Sequence, residues 1–382
     1  MSFPPRFLGK PHAYLLGDGP VRRNRLRFLY LAIPGVIVGL MLAAQAFVMA
    51  ADPFSQYPWS PPRDVPEEAQ SPDLAPYLLN LAGRGDYDTL VVGGSTSAAF
   101  RPRDMARLLP YARHPGNFAY YGSRPKDVAL VLHKVADEMP RVRHVITALD
   151  YTYMLPASEA RASFPFHIYG DRPGDHFLAN DMTALRLSWG LATTGAIQPG
   201  HEGYAAHETL TERVRVRGHS PRGVAQMRRA VAEARDIVAA PARLTCQDFA
   251  PLRDTLAPFA RKLSAQGRTL DIVVPPYHLS FYSSVATHPS LSKIRPSIAD
   301  HLVLRRCAVE AMAGLPGVRI FAFDEPWLVQ DAENYSDPGH VLQAAHYRYM
   351  LKAIGAGEHQ LTPQNFDAYA RDLRRRVLAF QY

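Results

Sequence analysis

Phe28 to Ala51 reads FLYLAIPGVIVGLMLAAQAFVMAA, an apolar run with no charged residue. At about 1.5 Å per residue it can cross the roughly 30 Å hydrocarbon core of a bilayer. A helix apolar on every side must be enclosed by protein or by lipid. Of the 43 Lys and Arg residues, six precede the run (Arg6, Lys10, Arg22, Arg23, Arg25 and Arg27), against one acid, Asp18. Basic residues stay on the cytoplasmic side. Residues 1–27 are therefore expected to be a cytoplasmic basic tail, and 28–51 a signal anchor in the inner membrane. The rest is expected outside the cytoplasm, which is the periplasm if the source is a Gram-negative bacterium. Val48-Met49-Ala50 also fits a signal-cleavage site. The run exceeds a usual signal core, which favours a retained anchor, and both readings export the domain.

The net charge of +8 is concentrated in the tail, so the remainder of the 382 residues is close to balance. That removes the argument for a nucleic-acid partner. The two cysteines, Cys246 and Cys307, are too few for a disulfide framework. In an exported protein they can pair or stay as buried thiols, and the sequence leaves both open.

Residues 52–73 are rich in proline and lack an apolar period, which predicts an extended spacer. Tyr57 and Trp59 on it are candidates for the lipid interface. A short helix over Leu74–Ala82 is expected to open the domain, residues 74–382. Strands are predicted at Thr89–Val92, Gly116–Ala119, Val142–Leu149, Thr269–Val274 and Val318–Phe323. Helices are predicted at Pro102–Leu109, Pro125–Met139, Gln247–Ala265, Ile298–Met312 and from Asp337 to Ile354. This alternation predicts an α/β fold, a three-layer α/β/α flavodoxin-like sandwich around a five-stranded parallel sheet. Residues 151–243 break the rhythm and read as an insertion beside the strand ends, with helices over Thr183–Leu191 and Val224–Val238. Its His167, His176, His201, His207 and His219 lack metal-ligand spacing, so no metal is expected.

The chemistry is expected where the first strand ends in Gly93-Gly94-Ser95. Open α/β sheets bind ligands at the carboxyl ends of their strands. Two glycines allow close approach to the main chain, and amides at a helix start can donate to an oxyanion. Asp337-Pro338-Gly339-His340 follows the fifth strand. Helix capping explains Asp337 and Pro338 but leaves His340 without a role. Across one sheet edge, His340 can take the Ser95 proton while Asp337 orients the imidazole.

With these residues the chain resembles the SGNH (GDSL-type) hydrolase superfamily over about Leu74 to Ile354. Gly93-Gly94-Ser95 is similar to its first block, with Gly94 where the motif has Asp. Gly122 resembles the glycine of the second block, whose amide serves the oxyanion hole. Asp337 and His340 resemble the last block. The third block, Gly-x-Asn-Asp, is absent, and Ala148-Leu149-Asp150-Tyr151 stands in its place; Asn117 and Asp150 are the candidates for the missing oxyanion or substrate contact. The layout, one anchor plus one such domain, resembles alginate O-acetylation proteins and the D-alanyl transfer protein of teichoic acids. The resemblance implies a serine esterase or O-acyltransferase that needs no cofactor. Its expected substrates are O-acyl groups, O-acetyl foremost, of an envelope polysaccharide, and a membrane acyl-donor partner is allowed. A scaffold protein that kept the fold and lost efficient catalysis is the alternative, favoured by the missing third block.

Overall fold

The computed structural model describes residues 20–55, 57, 59–60, 86–155, 169, 182–195, 221–287, 294–341 and 344–381. The expected helix over Leu74–Ala82 and the five histidines of the insertion lie outside them. Helix α1 is Pro20–Ala51. Within it Tyr30–Ala51, with a mean hydropathy of 2.2, is long and apolar enough to cross a membrane.

Short β-branched and apolar runs form the strands β1 (Thr89–Val92), β2 (Pro115–Asn117), β3 (His144–Ala148), β4 (Thr269–Val274) and β5 (Val318–Ala322). The chain is a mixed α/β protein whose sheet runs β2-β1-β3-β4-β5 in parallel. Alternate side chains leave opposite faces. Leu90, Val92, Ile272 and Val274 enter one apolar cluster, whereas Val91, Val273 and Phe321 enter the other. Helical residues join both clusters, Val131 and Leu304 the first, Met105 and Leu351 the second. The amphipathic helices α2 (Pro102–Leu108) and α3 (Pro125–Glu138) start at prolines, whose missing N–H costs nothing at a helix start. The insertion contributes α4 (Met182–Thr194) and α5 (Pro221–Ala239). Next come α6 (Ala257–Ala265), entered through a π segment at Leu252–Leu256, α7 (Phe281–Thr287) and α8 (Ile298–Met312). Ser297 and Asp300 form a capping box at the start of α8. The cysteines are paired: a Cys246–Cys307 disulfide, with Cα atoms 5.6 Å apart, ties the segment before α6 to α8.

Several expectations are corrected. The sheet has six strands, because β8 (Gln360–Leu361) adds antiparallel to β5. A two-residue strand carries no period to read. No helix begins at Asp337. Tyr335–Asp337 (β6) and His340–Val341 (β7) form an antiparallel hairpin, and α9 starts only at Ala344 and ends at Ala356. A further helix, α10 (Phe366–Ala379), packs Leu373 and Val377 into the core. The residues after α1 do not begin an extended spacer. Asp52 turns the chain at a φ of 39°, its carboxylate accepts from the Tyr57 amide at 2.9 Å and from the Ser60 hydroxyl, and Phe54 is fully buried. Val48 and Phe54 join the same apolar cluster as β1 and α3, so the end of α1 is built into the domain.

Candidate functional site

The order β2-β1-β3 reverses direction at β1, and the crevice outside β1 and β3 is where such sheets bind ligands. Ser95 sits there, first in the one-turn helix Ser95–Ser97. Neither Gly93 nor Gly94 has positive φ. Their role is close approach: a Cβ on Gly93 would stand 2.7 Å from Ser97 Oγ, and one on Gly94 3.2 Å from Ser123 Oγ and 3.5 Å from Asp150 Oδ2.

The hairpin of β6 and β7 brings Asp337 and His340 over the same edge. Asp337 Oδ1 accepts from the Gly339 amide at 2.8 Å, closing the turn. The turn is also held from β4's extension, where the His278 amide donates to the Pro338 carbonyl at 3.0 Å. His340 Nδ1 lies 2.9 Å from both carboxylate oxygens of Asp337, and His340 Nε2 lies 2.8 Å from Ser95 Oγ. Serine, imidazole and carboxylate are thus in line.

Their electrostatics agree with that order. Burial pulls the His340 pKa down, but the hydrogen bond and charge of Asp337, with the charge of Asp150, outweigh it and leave it above the ordinary imidazole value. Burial pushes the Asp337 carboxyl up, and His340 with the Gly339 amide more than reverses this. An Nδ1–H held by Asp337 leaves Nε2 free to accept the serine proton.

Gly122 lines the same cavity, at a φ of 61° that favours glycine. Among the described residues no carbonyl accepts from the Ser95 or Gly122 amide, so both are available to an oxyanion. Asn117 is not brought to the site. Its amide donates to the carbonyls of Ser97, Ala98 and Phe100, and its oxygen accepts from Ala119. With both hydrogens committed, it braces the turn behind Ser95. Asp150 does reach the cavity, but its Oδ1 accepts from the Thr152 amide at 2.9 Å and from the Thr152 hydroxyl. Burial raises its pKa, partly offset by Thr152. An ionised carboxylate accepts and does not donate, so in that form Asp150 cannot replace the third-block asparagine.

The cavity measures about 350 Å³. One wall was not foreseen from the sequence: Tyr277 stacks on Phe281 with centroids 3.7 Å apart, and Tyr151 meets Phe281 edge-on at 5.6 Å. The signal was Pro275-Pro276-Tyr277-His278 itself, since it follows a strand at the carboxyl edge. Among the described residues no cluster of three or more His, Cys, Asp or Glu side chains is arranged to hold a metal ion.

Compared with protein-family models, curated proteins and solved structures, the chain finds no match. The functional reading therefore rests on the residues themselves.

Proposed function

We propose that this chain is a membrane-anchored, envelope-facing serine esterase or O-acyltransferase with a three-layer α/β/α, SGNH-like domain. In this reading it acts on O-acyl groups, O-acetyl foremost, of a polysaccharide. The observation that carries it is the 2.8 Å approach of His340 Nε2 to Ser95 Oγ, with Asp337 on the opposite ring nitrogen. Ser95 Oγ attacks the acyl carbonyl carbon while His340 takes its proton. The Ser95 and Gly122 amides stabilise the oxyanion. Collapse breaks the acyl–oxygen bond, the imidazolium protonates the leaving alcohol, and the acyl group remains on Ser95. Water then gives hydrolysis, and a sugar hydroxyl gives transfer; in both, His340 removes the attacking proton and returns it to Ser95. Tyr151, Tyr277 and Phe281 offer the kind of aromatic wall against which a sugar ring or acyl chain packs.

The decisive experiment is covalent labelling of the purified full chain by a fluorophosphonate probe, alongside acetyl release from a chromogenic ester. Labelling that requires both Ser95 and His340 supports the reading, and an unlabelled Ser95 in folded protein sinks it. Alkaline phosphatase fused after residue 75 should be active in a bacterial host, as expected for a domain outside the cytoplasm; an inactive fusion overturns that orientation. One observation favours the scaffold alternative: Asp150 stands where a donor asparagine is wanted, and its Oδ1 accepts from the Thr152 amide. That reading expects saturable polysaccharide binding with acetyl release at background.

A further inference from the structure

The insertion helix α4 has two unlike faces. Ala184, Leu187 and Ser188 are buried, whereas Met182 (74% exposed), Arg186 and Trp189 (66% exposed) share the opposite side at helical spacing. Trp189 makes an edge contact with Phe47 of α1, ring centroids 6.5 Å apart. Phe47 precedes the end of the apolar run by four residues, about 6 Å of helix. Along the same run Leu40 and Leu42 are also exposed. A second exposed tryptophan, Trp59, stacks on Tyr57 at 4.4 Å. It lies on the loop that Asp52, the first residue after α1, folds back. Two tryptophans distant in sequence are thus held at the end of one apolar helix.

We propose that the Met182–Arg186–Trp189 face of α4, with Trp59, is a lipid-binding surface seated in the headgroup layer of a phospholipid bilayer. The inference rests on α1 spanning a membrane and is independent of the chemistry at Ser95. If α1 spans, Phe47 lies near the outer edge of the hydrocarbon core, and its contact fixes Trp189 at that depth. Indole rings favour this boundary, and an arginine between them reaches lipid phosphate while its stem stays in apolar surroundings. A bilayer is preferred to a protein partner because the face continues the exposed apolar surface of α1. The docking bears on the pocket. Ala184 and Leu187 share an apolar cluster with Tyr153 and Met154, which lie between the cavity residues Thr152 and Leu155.

The test uses the full chain in phosphatidylcholine–phosphatidylglycerol vesicles, reduced to single tryptophans by phenylalanine substitution. With Trp59→Phe and Trp327→Phe in place, emission reports Trp189 alone; Trp59→Phe with Trp189→Phe leaves Trp327 as the reference. Lipids brominated near the headgroup end of the acyl chain should quench Trp189 about twofold or more, and clearly more than lipids brominated near the terminal methyl. Quenching of Trp189 no greater than that of Trp327 overturns the proposal. Alkaline carbonate extraction separates the two layers of the argument. A chain retained in the membrane with unquenched Trp189 refutes the α4 surface alone, whereas a released chain refutes the anchor and the surface with it.

Discussion

Asp337→Asn removes a charge while keeping the hairpin. Asparagine retains an oxygen for the Gly339 amide, now accepted at 2.8 Å, so the turn between β6 and β7 should survive. What disappears is the negative charge 2.9 Å from His340 Nδ1. That charge and its hydrogen bond favour the protonated imidazole, so losing them should lower the His340 pKa. The sign follows from the site: Asp337 and Asp150 hold that pKa above the ordinary imidazole value against burial. A general base works only when neutral, so wild-type activity should rise with pH through this raised pKa. In the variant that acid limb moves to lower pH. The plateau should fall as well. The new side-chain amide can donate to Nδ1, which leaves the proton on Nε2 and deprives Ser95 of an acceptor, a loss on the order of 10³–10⁴. The assay is kcat/KM for a chromogenic acetyl ester against pH, with a melting curve to establish folding. An acid limb that stays in place, or a plateau within about tenfold of wild type, refutes the role given to Asp337.

Other outcomes follow from the same geometry. Ser95→Ala and His340→Ala should each abolish nearly all ester cleavage, and the double variant should be little worse than either, because the pair acts as one unit; additive losses in kcat/KM would count against it. Gly93→Ala places a methyl 2.7 Å from the buried Ser97 hydroxyl. That overpacking should cost about 1–3 kcal/mol by urea titration and displace the turn carrying Ser95, whereas unchanged stability and activity would contradict the close approach. The two cysteines are 61 residues apart in sequence. On the chain-entropy account their disulfide contributes about 4 kcal/mol, so Cys246→Ser with Cys307→Ser should lower the urea midpoint markedly, and an unaltered midpoint would refute the bond's contribution.

Much of the strand–helix alternation was legible in the sequence because period is a local property. Thr89–Val92 and Thr269–Val274 are strands over the residues their apolar runs mark, and Ile298–Met312 is a helix between its capping serine and its last apolar residue. Ser95 could be named because it follows the end of β1 at the carboxyl edge of a parallel sheet, and Asp337 and His340 because helix capping left the histidine without a role. What came only with tertiary structure depends on partners distant in the chain. Gln360–Leu361 is a strand because β5 presents an open edge to it. Asp337 reads locally as a helix cap, yet its oxygens are claimed by Gly339 and His340, and a hairpin forms instead. Asn117 looked like a candidate donor until three carbonyls behind Ser95 took its hydrogens. The apolar run after the basic tail spoke for itself, but that its last turns enter the domain core followed from where Val48 and Phe54 pack. Local preference marks where most of the longer elements form, though not the β6–β7 hairpin or β8. Which polar groups remain unspent at the site is decided by satisfying every buried donor and acceptor at once, across residues that the sequence keeps far apart.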